Sequence, residues 1–294
     1  MSKKYLCTIN PLSGTHKASK MLANLRNDFP EDVFIVLESK SAGYFSRFID
    51  QIILTDIDAV LVLGGDGTMH DVVNALHMNK RLDIPVLLFP AGSGNAFNHD
   101  FDSLTYKKAA DRLRQFRIID IDLLEITYNG QSCISFNMIG WGLVNNISQL
   151  AEDMRWLGTA RYTMSAVLAI LPNPHSHLKI QLDDNIHYDE DFSFVLILNT
   201  KHTGKGMKMA PYADLQDGLM DVLLVRKTAM SNLLKLFPSI YSGKHVNSKY
   251  LEYRQVKYVK VESNSTQNLT IDGEIKGSAP YEVSVMEEKL KVIG

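Results

Sequence analysis

Five consecutive residues, Gly64-Gly65-Asp66-Gly67-Thr68, combine the features of a phosphate-binding loop with a single carboxylate. They follow a run of strand-forming residues, 59–63, and precede a helical pattern with apolar side chains on one face. A strand that leads through glycines into a helix N-terminus presents backbone N–H groups and a positive dipole end to an anion. A site built only for an anion would avoid Asp66, so the sequence predicts metal or proton chemistry. A tight turn with Asp66 as a helix cap is the alternative.

Two further glycine-bearing loops follow predicted strands in the first third of the chain. Residues 10–15 read Asn-Pro-Leu-Ser-Gly-Thr, and residues 90–97 read Pro-Ala-Gly-Ser-Gly-Asn-Ala-Phe. Parallel sheets bind ligands at the carboxyl ends of their strands, so the three loops together predict one nucleotide site. The residues predicted to bind the nucleotide are Asn10, Ser13, Gly14, Gly64, Gly65, Gly67, Thr68, Gly92, Ser93, Gly94 and Asn95.

Strand and helix patterns alternate through the first 115 or so residues. The predicted strands are 5–9, 33–37, 59–63 and 85–89, and helical patterns lie near 18–27, 42–53 and 69–77. Such alternation is typical of an α/β domain whose mostly parallel sheet is covered by helices.

The pattern changes after about residue 117, where most segments are typical of strands separated by turn residues such as Asn129-Gly130 and Asp272-Gly273. The predicted strands are 118–128, 132–137, 177–182, 192–198, 219–226, 256–262, 268–271 and 282–286. Helical patterns at 143–170 and 232–239 interrupt them. This half therefore predicts an antiparallel β domain, most simply a sandwich.

Composition excludes several classes of protein. The 294 residues carry a formal net charge of −2 with no basic domain, which argues against a nucleic-acid binder. No apolar run reaches the roughly 20 residues of a transmembrane helix, and the first residues lack the apolar core of a signal peptide. Two cysteines, Cys7 and Cys133, fit a reduced interior. We expect a cytoplasmic protein without a transmembrane segment.

Six ordered motifs together resemble the diacylglycerol kinase catalytic family, which includes soluble diacylglycerol, sphingosine and ceramide kinases. The resemblance covers nearly the whole chain. The motifs are the loops at 10–14, 64–76 and 90–97, a helical region at 142–163, Ala210-Pro211 with Asp217-Gly218 and Asp221-Val222, and Asp272-Gly273-Glu274.

The resemblance implies an ATP-dependent kinase that phosphorylates a primary hydroxyl of a lipid. It further implies an N-terminal α/β nucleotide-binding domain like that of NAD kinase and phosphofructokinase, a C-terminal antiparallel β-sandwich, and an active site in the cleft between them. We expect residues 1–120 to form the first domain and 121–286 the second, with a last strand near 287–294 returning to the first.

The resemblance also assigns roles to individual residues. Asp66 is expected to be the general base toward the lipid hydroxyl or a metal-linked acid, and Glu274 a second catalytic acid. Arg155 and Arg161 resemble arginines that clamp phosphate, for which a planar fork of donors is suited. A turn carboxylate is the alternative for Glu274, and ion pairs on a helix surface are the alternative for the two arginines.

A loop at 215–221 resembles one that holds a structural magnesium ion in relatives. Asp217 is the expected side-chain ligand of Mg²⁺, with backbone carbonyls near Asp214 and Leu219, because hard cations take oxygen ligands. A plain hairpin turn is the alternative. The acceptor implied by the resemblance is diacylglycerol-like or sphingoid-like. The uncharged Asn146 and Ser148 stand where sphingosine kinases carry acids, which puts sphingosine itself in doubt and leaves a neutral diacylglycerol-like or other hydroxylated lipid open.

Two other functions remain open on the sequence. NAD kinase also uses a Gly-Gly-Asp-Gly-Thr loop, and a catalytically silent lipid-binding regulatory protein could share the fold. His70, directly after the signature, is interpreted as a solvated residue on a helix face.

Two groups of basic residues suggest contact with a membrane surface. Lys201, His202, Lys205 and Lys208 form one group, and Lys244, His245 and Lys249 the other. We expect both groups to face anionic headgroups around the lipid substrate, although solvated loops would show the same composition. A homodimer is compatible with the sequence, which does not fix the oligomeric state.

Overall fold

The computed structural model describes residues 2–9, 17–39, 44–45, 56–92, 94–142, 175–265 and 267–294. By its internal contacts the chain divides into two compact units. The first comprises Met1–Leu123, Gly204–Gly206 and Glu287–Gly294, and the second comprises Leu124–Thr203 and Met207–Met286.

Fifteen strands and five α-helices lie wholly within the described residues. The strands are β1 Lys4–Ile9, β2 Val33–Glu38, β3 Ala59–Gly64, β4 Val86–Pro90, β5 Ile118–Tyr128, β6 Gln131–Ser135, β7 Met138–Gly142, β8 Ser176–Leu182, β9 Ile186–Leu198, β10 Met220–Arg226, β11 Leu251–Val256, β12 Tyr258–Glu262, β13 Asn268–Ile271, β14 Glu274–Ser278 and β15 Tyr281–Ile293. The helices are α1 Lys17–Asp28, α2 Asp66–Met78, α3 Ala96–Asp100, α4 Tyr106–Gln115 and α5 Met230–Ser239. Short 3₁₀ turns lie at Gly204–Gly206 and Lys244–Asn247.

A parallel sheet forms the centre of the first unit, with strands in the order β2-β1-β3-β4. All residues of β3 and β4 are buried, as expected for the apolar inner strands of a parallel sheet. Gly64 at the end of β3 pairs with Pro90 at the end of β4. The loops that leave these two strands therefore start side by side.

The last residues of β15 extend this sheet, because Val292 pairs in parallel with Val86 of β4. The buried guanidinium of Arg112 in α4 donates to the carbonyl of Ile293 and lies 4.2 Å over the ring of Phe101. Burial lowers the pKa of Arg112 to about 10. The end of the chain is thus tied to a helix of the first unit.

Antiparallel ladders form the second unit. β7 and β8 pair with β9, and β9 also pairs with β10, which pairs with β11. β13 pairs with β7 and with β14. Side chains from these strands form two apolar clusters, one that contains the fully buried Trp141 and Phe192 and one that contains Leu196 and Leu223.

The sequence missed three strands and two helices and placed several boundaries wrongly, such as the start of β9, predicted at residue 192. β7, β11 and β14 were not predicted as separate strands, and α3 and α4 were not predicted as helices. The predicted strand 256–262 spans the end of β11 and all of β12, which separate at Lys257. The predicted helix at 143–170 lies outside the described residues, as does most of that at 42–53.

Candidate active site

The loop with the sequence Gly-Gly-Asp-Gly-Thr, residues 64–68, is called the signature loop here. It connects β3 to α2 through a single residue, Gly65. Gly65 precedes the helix in an extended conformation, with φ −114° and ψ −171°, and α2 begins at Asp66. Met69, Val72 and Val73 are buried on one face of α2, which anchors the helix. Asp66 and Gly67 therefore occupy the first turn of a helix that follows a buried strand, the arrangement that favours an anion at the N-terminus.

The second loop packs directly against the first. The backbone N–H groups of Ala91 and Gly92 donate to the carbonyl of Gly64, at 3.0 and 2.9 Å. A Cβ on Gly92 would lie 2.4 Å from Cα of Gly65, closer than real Cβ contacts allow. The glycines are thus required where the two backbones touch, in addition to any approach by a phosphate.

The side chain of Thr68 leaves no space for a side chain at Gly64, the first glycine of the signature loop. A Cβ on Gly64 would lie 2.5 Å from Oγ1 of Thr68, which is itself buried. Gly64 and Thr68 therefore form an interlocked pair at the end of β3, and Thr68 helps to fix the direction in which the loop leaves the sheet.

The carboxylate of Asp66 joins the two loops. Its Oδ2 accepts a hydrogen bond from the N–H of Ala96 at 3.0 Å, and its Oδ1 accepts one from Phe97 at 3.3 Å. These N–H groups are in the first turn of α3, so Asp66 caps a helix other than its own. A negative charge at this position is stabilised by the free N–H groups of the helix N-terminus.

Asn95 shapes the turn before α3. Its backbone is left-handed, with φ +49°, and its Nδ2 donates to the carbonyl of Gly92 at 2.9 Å. Its Oδ1 is buried without a hydrogen-bond partner. Gly94 is placed so that a Cβ would lie 3.3 Å from Oδ2 of Asp66. Asn95 and Gly94 thus lie beside Asp66, and the free amide oxygen is an acceptor that a ligand hydroxyl could use.

Six of the residues predicted to bind the nucleotide lie outside the described residues. They are Asn10, Ser13, Gly14, Ser93, Arg155 and Arg161. The others, Gly64, Gly65, Gly67, Thr68, Gly92, Gly94 and Asn95, lie on the two loops of the first unit or at the start of α2.

A buried carboxylate, Asp272, anchors the segment that carries Glu274 in the second unit. Asp272 accepts hydrogen bonds from Oγ of Ser135 at 2.7 Å and from the backbone N–H groups of residues 136–138 at 3.0 to 3.2 Å. Asp272 and Gly273 take positive φ angles of 49° and 92° and form the tight turn between β13 and β14. Glu274 follows as the first residue of β14, partly exposed.

The sequence did not identify Asp272 as an anchor. The signal was the Asp-Gly pair itself, whose positive φ angles suit a tight hairpin. Nothing in the local sequence indicates that the carboxylate would reach residues more than a hundred positions earlier.

The predicted metal loop is organised by its own carboxylates. Oδ1 of Asp214 accepts from the N–H of Gln216 at 3.1 Å, and Oδ1 of Asp217 accepts from the N–H of Leu219 at 2.9 Å. Asp221, which follows, is buried and accepts a hydrogen bond from the hydroxyl of Tyr253. Burial, with added repulsion from Asp217 and Asp214, raises the pKa of Asp221 to about 7.

This loop suits a hard cation in its chemistry. Three carboxylates lie close enough to raise one pKa, and oxygen ligands are those that Mg²⁺ takes. The described residues contain no group of three His, Cys, Asp or Glu side chains set to hold a metal. A magnesium ion here would therefore depend on backbone carbonyls and water for most of its shell, as this ion commonly does.

His70 differs from its interpretation as a solvated residue. Its side chain is buried within α2, and Nδ2 of Asn74 donates to its backbone carbonyl at 2.9 Å. The helix face that carries His70 is therefore packed inside the first unit.

Comparison with known proteins identifies the class. Residues 4–126 match the diacylglycerol kinase catalytic domain model, and residues 137–294 match the model of the YegS C-terminal NAD kinase beta sandwich-like domain. These matches confirm the α/β domain and the β-sandwich domain expected from the sequence. The fold and the signature loop are those of a lipid kinase, a phosphotransferase with an alcohol group as acceptor.

Relatives identify the family more closely. A diacylglycerol kinase of Mycobacterium tuberculosis is 30% identical over 99% of this chain and 94% of its own length. A diacylglycerol kinase of Bacillus subtilis is 26% identical over 97% of this chain and 94% of its own length. The chain belongs to the diacylglycerol kinase catalytic domain family, as the resemblance implied.

Solved structures show the same fold. A diacylglycerol kinase from Bacillus anthracis superposes with a TM-score of 0.71 at 16% identity, covering 99% of this chain and 96% of that one. An NAD kinase from Archaeoglobus fulgidus in complex with ATP gives a TM-score of 0.53 at 10% identity, covering 99% and 93%. At these identities the likeness concerns the fold alone.

We predict that Gly92→Ala destabilises the protein by about 1–3 kcal/mol, because the new Cβ forces the two loop backbones apart. Gly130→Ala is the control. This glycine has φ +72°, but an added Cβ would meet no atom within 4 Å. Only backbone strain of about 1 kcal/mol is therefore expected there. Urea unfolding of both variants measures the difference. Equal stability of Gly92→Ala and the unchanged protein would contradict the close contact.

We predict that Asp272→Ala costs about 3–5 kcal/mol, because four buried donors lose their acceptor. Asp184→Ala, in an exposed turn between β8 and β9, is the matched control. It should change stability by less than about 0.5 kcal/mol. Chemical denaturation monitored by tryptophan fluorescence compares the two. A small effect at Asp272 would mean that the cage of donors is not important for folding.

Proposed function

We propose that the protein transfers the γ-phosphoryl group of ATP to the primary hydroxyl of a diacylglycerol-like lipid. The observation that carries the proposal is the placement of Asp66, the one carboxylate of the signature loop, where it joins both described glycine loops. Membership of the diacylglycerol kinase family supports a lipid acceptor, and the kinase class supports ATP as the donor.

The glycine loops would hold the phosphates of ATP. Backbone N–H groups at the start of α2 and around Gly94 are the donors, and Asn95 offers its unpartnered amide oxygen to a ribose or water hydroxyl. Phosphoryl transfer needs positioning and charge stabilisation more than covalent catalysis by the protein. The sequence adds further candidates for nucleotide binding, namely Asn10, Ser13, Gly14 and Ser93. It also adds Arg155 and Arg161, which would bring positive charge near the phosphates.

The reaction itself needs one proton acceptor. As the acceptor oxygen bonds to the γ-phosphorus, the bond between that phosphorus and the β–γ bridging oxygen breaks, and ADP leaves. The hydroxyl proton passes to a base, for which Asp66 is the candidate, while Glu274 is the candidate for a second acid. The hydrogen bonds from Ala96 and Phe97 favour the ionised form of Asp66, which a base must have. The predicted position of the site between the two domains stays a prediction.

Magnesium would have two places in this scheme. An ion that accompanies ATP would neutralise phosphate charge, and Asp66 could bind it through water. A structural ion would lie in the loop of Asp214, Asp217 and Leu219, with the buried Asp221 behind it. When bound, a structural ion supplies positive charge that offsets the repulsion among these carboxylates.

A diacylglycerol-like acceptor is favoured over sphingosine. Relatives named diacylglycerol kinase match at 30% and 26% identity, whereas two plant sphingosine kinases match at 23% and 24%. The uncharged Asn146 and Ser148 agree with a neutral lipid. Such a lipid resides in a bilayer, so the enzyme must work in peripheral contact with a membrane surface. No helix among the described residues is long and apolar enough to cross a bilayer.

The proposal is tested by transfer of label from γ-labelled ATP with magnesium to a panel of acceptors: diacylglycerol, monoacylglycerol, sphingosine, ceramide, phosphatidylglycerol and NAD. We expect label in diacylglycerol. Label in NAD alone would show that the protein is an NAD kinase, like its fold neighbour. ATP binding without transfer to any acceptor would favour a catalytically silent regulatory protein.

The role of Asp66 requires a control for its capping function. We predict that Asp66→Asn lowers kcat by about 10²–10⁴-fold, since it removes the base, and lowers stability by about 1 kcal/mol, since it weakens the cap of α3. Thr105→Ala removes a comparable cap, because the Thr105 side chain accepts from the N–H of Lys108 at the start of α4. Thr105→Ala should lose similar stability and keep full kcat. Equal loss of activity in both variants would reduce Asp66 to a capping residue.

The structural magnesium is tested by thermal unfolding with and without MgCl₂, without ATP. We predict that Mg²⁺ raises the Tm of the unchanged protein and not that of Asp217→Asn. Asp184→Asn, on an exposed turn, should respond to Mg²⁺ like the unchanged protein. If Mg²⁺ leaves the Tm of all three proteins unchanged, the loop is a plain turn without a structural ion.

A further inference from the structure

One surface of the second unit combines exposed apolar side chains with unpaired basic ones. It consists of Met230, Phe237 and Tyr241 on and just after α5, of the exposed Lys235 on the helix, and of the exposed Lys244 and Lys249 in the segment that follows, and is called the α5 face here. Met230 and Tyr241 are 37% and 45% exposed. The rings of Phe237 and Tyr241 pack edge to face at 6.2 Å.

The apolar residues of α5 cover more of the helix than its buried side requires. Leu233 is buried in the core, and Leu234 and Ile240 pack against the same core. Met230 and Phe237 are seven residues apart and so lie on one stripe of the helix, and Tyr241, just after the helix end, contacts Phe237 through its ring. This stripe runs along the border of the buried side, and it remains accessible.

The charge of the segment is of one sign. Residues 222–251 contain five Lys or Arg residues and no Asp or Glu. Arg226 and Lys227 are neutralised by ion pairs with Glu190 and Asp191. Lys235, Lys244 and Lys249 are exposed and have no ion pair among the described residues.

A neighbouring loop adds to this face. Gly243, with φ +72°, packs against Pro211, and a Cβ there would lie 3.5 Å from Cδ of Lys208. Lys208 therefore lies next to the turn that follows α5. His245, by contrast, is buried, and its Nε2 is 2.9 Å from the carbonyl of Met209. The expectation that His245 faces headgroups is wrong, because this side chain holds the loop together from within.

We propose that the α5 face docks on an anionic membrane surface and holds the enzyme at its lipid acceptor. The inference rests on the proposed function, which places the acceptor in a bilayer. Tyrosine and lysine suit the membrane interface, because the ring or methylene stem can lie among apolar chains while the polar end stays in water. Each lysine near an anionic surface adds attraction that falls off within a Debye length.

Charge also argues against a second copy of the chain as the occupant. A twofold dimer through this face would bring the same lysines of both copies together, and like charges across an interface are repulsive. Lysine is moreover depleted at protein interfaces. An anionic lipid surface satisfies both the apolar stripe and the surrounding positive charge.

The test is sedimentation of the full chain with vesicles, without ATP. We expect binding to vesicles of phosphatidylcholine mixed with phosphatidylglycerol, and much weaker binding to phosphatidylcholine alone. The variant Lys235→Gln/Lys244→Gln/Lys249→Gln should bind the mixed vesicles about fivefold more weakly for each charge removed. The control variant Lys20→Gln/Lys80→Gln/Lys107→Gln, made at exposed lysines of the first unit, should bind like the unchanged protein.

The apolar part is tested in the same way. Tyr241→Ser should weaken binding to mixed vesicles severalfold, whereas Leu104→Ser, at a residue 40% exposed in the first unit, should not. Binding that ignores anionic lipid, or equal binding by both lysine variants, would overturn the proposal. A loss of self-association by Tyr241→Ser in analytical ultracentrifugation, with vesicle binding unchanged, would assign the face to a dimer instead.

A short-chain diacylglycerol below its micellar concentration separates this inference from the proposed function. We expect the lysine variant to phosphorylate this soluble acceptor with unchanged kcat and KM, and to lose efficiency only with acceptor in vesicles. If the soluble acceptor is not phosphorylated but vesicle binding still depends on the α5 face, the result would support the α5 face as a membrane-binding surface and contradict diacylglycerol as the acceptor.

Discussion

The geometry of the nucleotide loops depends on one carboxylate. Asp66 starts the helix after β3 and accepts hydrogen bonds from the first turn of the helix after β4. The two strands are neighbours in register, so their loops begin together, and the carboxylate keeps them together where they would otherwise separate. The close approach that results leaves no room for a side chain at Gly92 and little at Gly65. The carboxylate of Asp66 thus completes a contact that the N–H groups of Ala91 and Gly92 begin at the carbonyl of Gly64.

The same carboxylate is the expected base, and the two roles are physically compatible. Each oxygen of Asp66 accepts a backbone N–H, and a carboxylate oxygen can accept more than one hydrogen bond. Hydrogen bonds to the ionised form keep a carboxylate charged and fix its orientation. A group fixed in this way needs little reorganisation when it accepts a proton, which is the advantage of a preorganised site.

The sequence predicted the positions of the glycine loops in the first unit better than its helices. Glycines, a carboxylate and strand ends are local features, and they placed Asp66 and the second loop correctly at the ends of β3 and β4. The short helix α3 was missed because its cap comes from a residue thirty positions earlier. β14 was missed because its residues, with Gly277 and Lys276, have weak strand propensity and are held by pairing with β13. Long-range partners decide such elements.

Two buried carboxylates also show that long-range surroundings cannot be predicted from local sequence. Asp272 and Asp221 look like ordinary turn and strand residues in the sequence, yet both side chains are buried. The groups that surround the two carboxylates differ. Asp272 accepts hydrogen bonds from four donors, which fix its position, and so it can hold the hairpin that carries Glu274. Asp221 accepts a hydrogen bond from Tyr253, but burial, with added repulsion from Asp217 and Asp214, raises its pKa to about 7. A divalent ion bound at the loop of Asp217 would offset the repulsion among these carboxylates and would thereby stabilise the fold, because metal binding is coupled to folding.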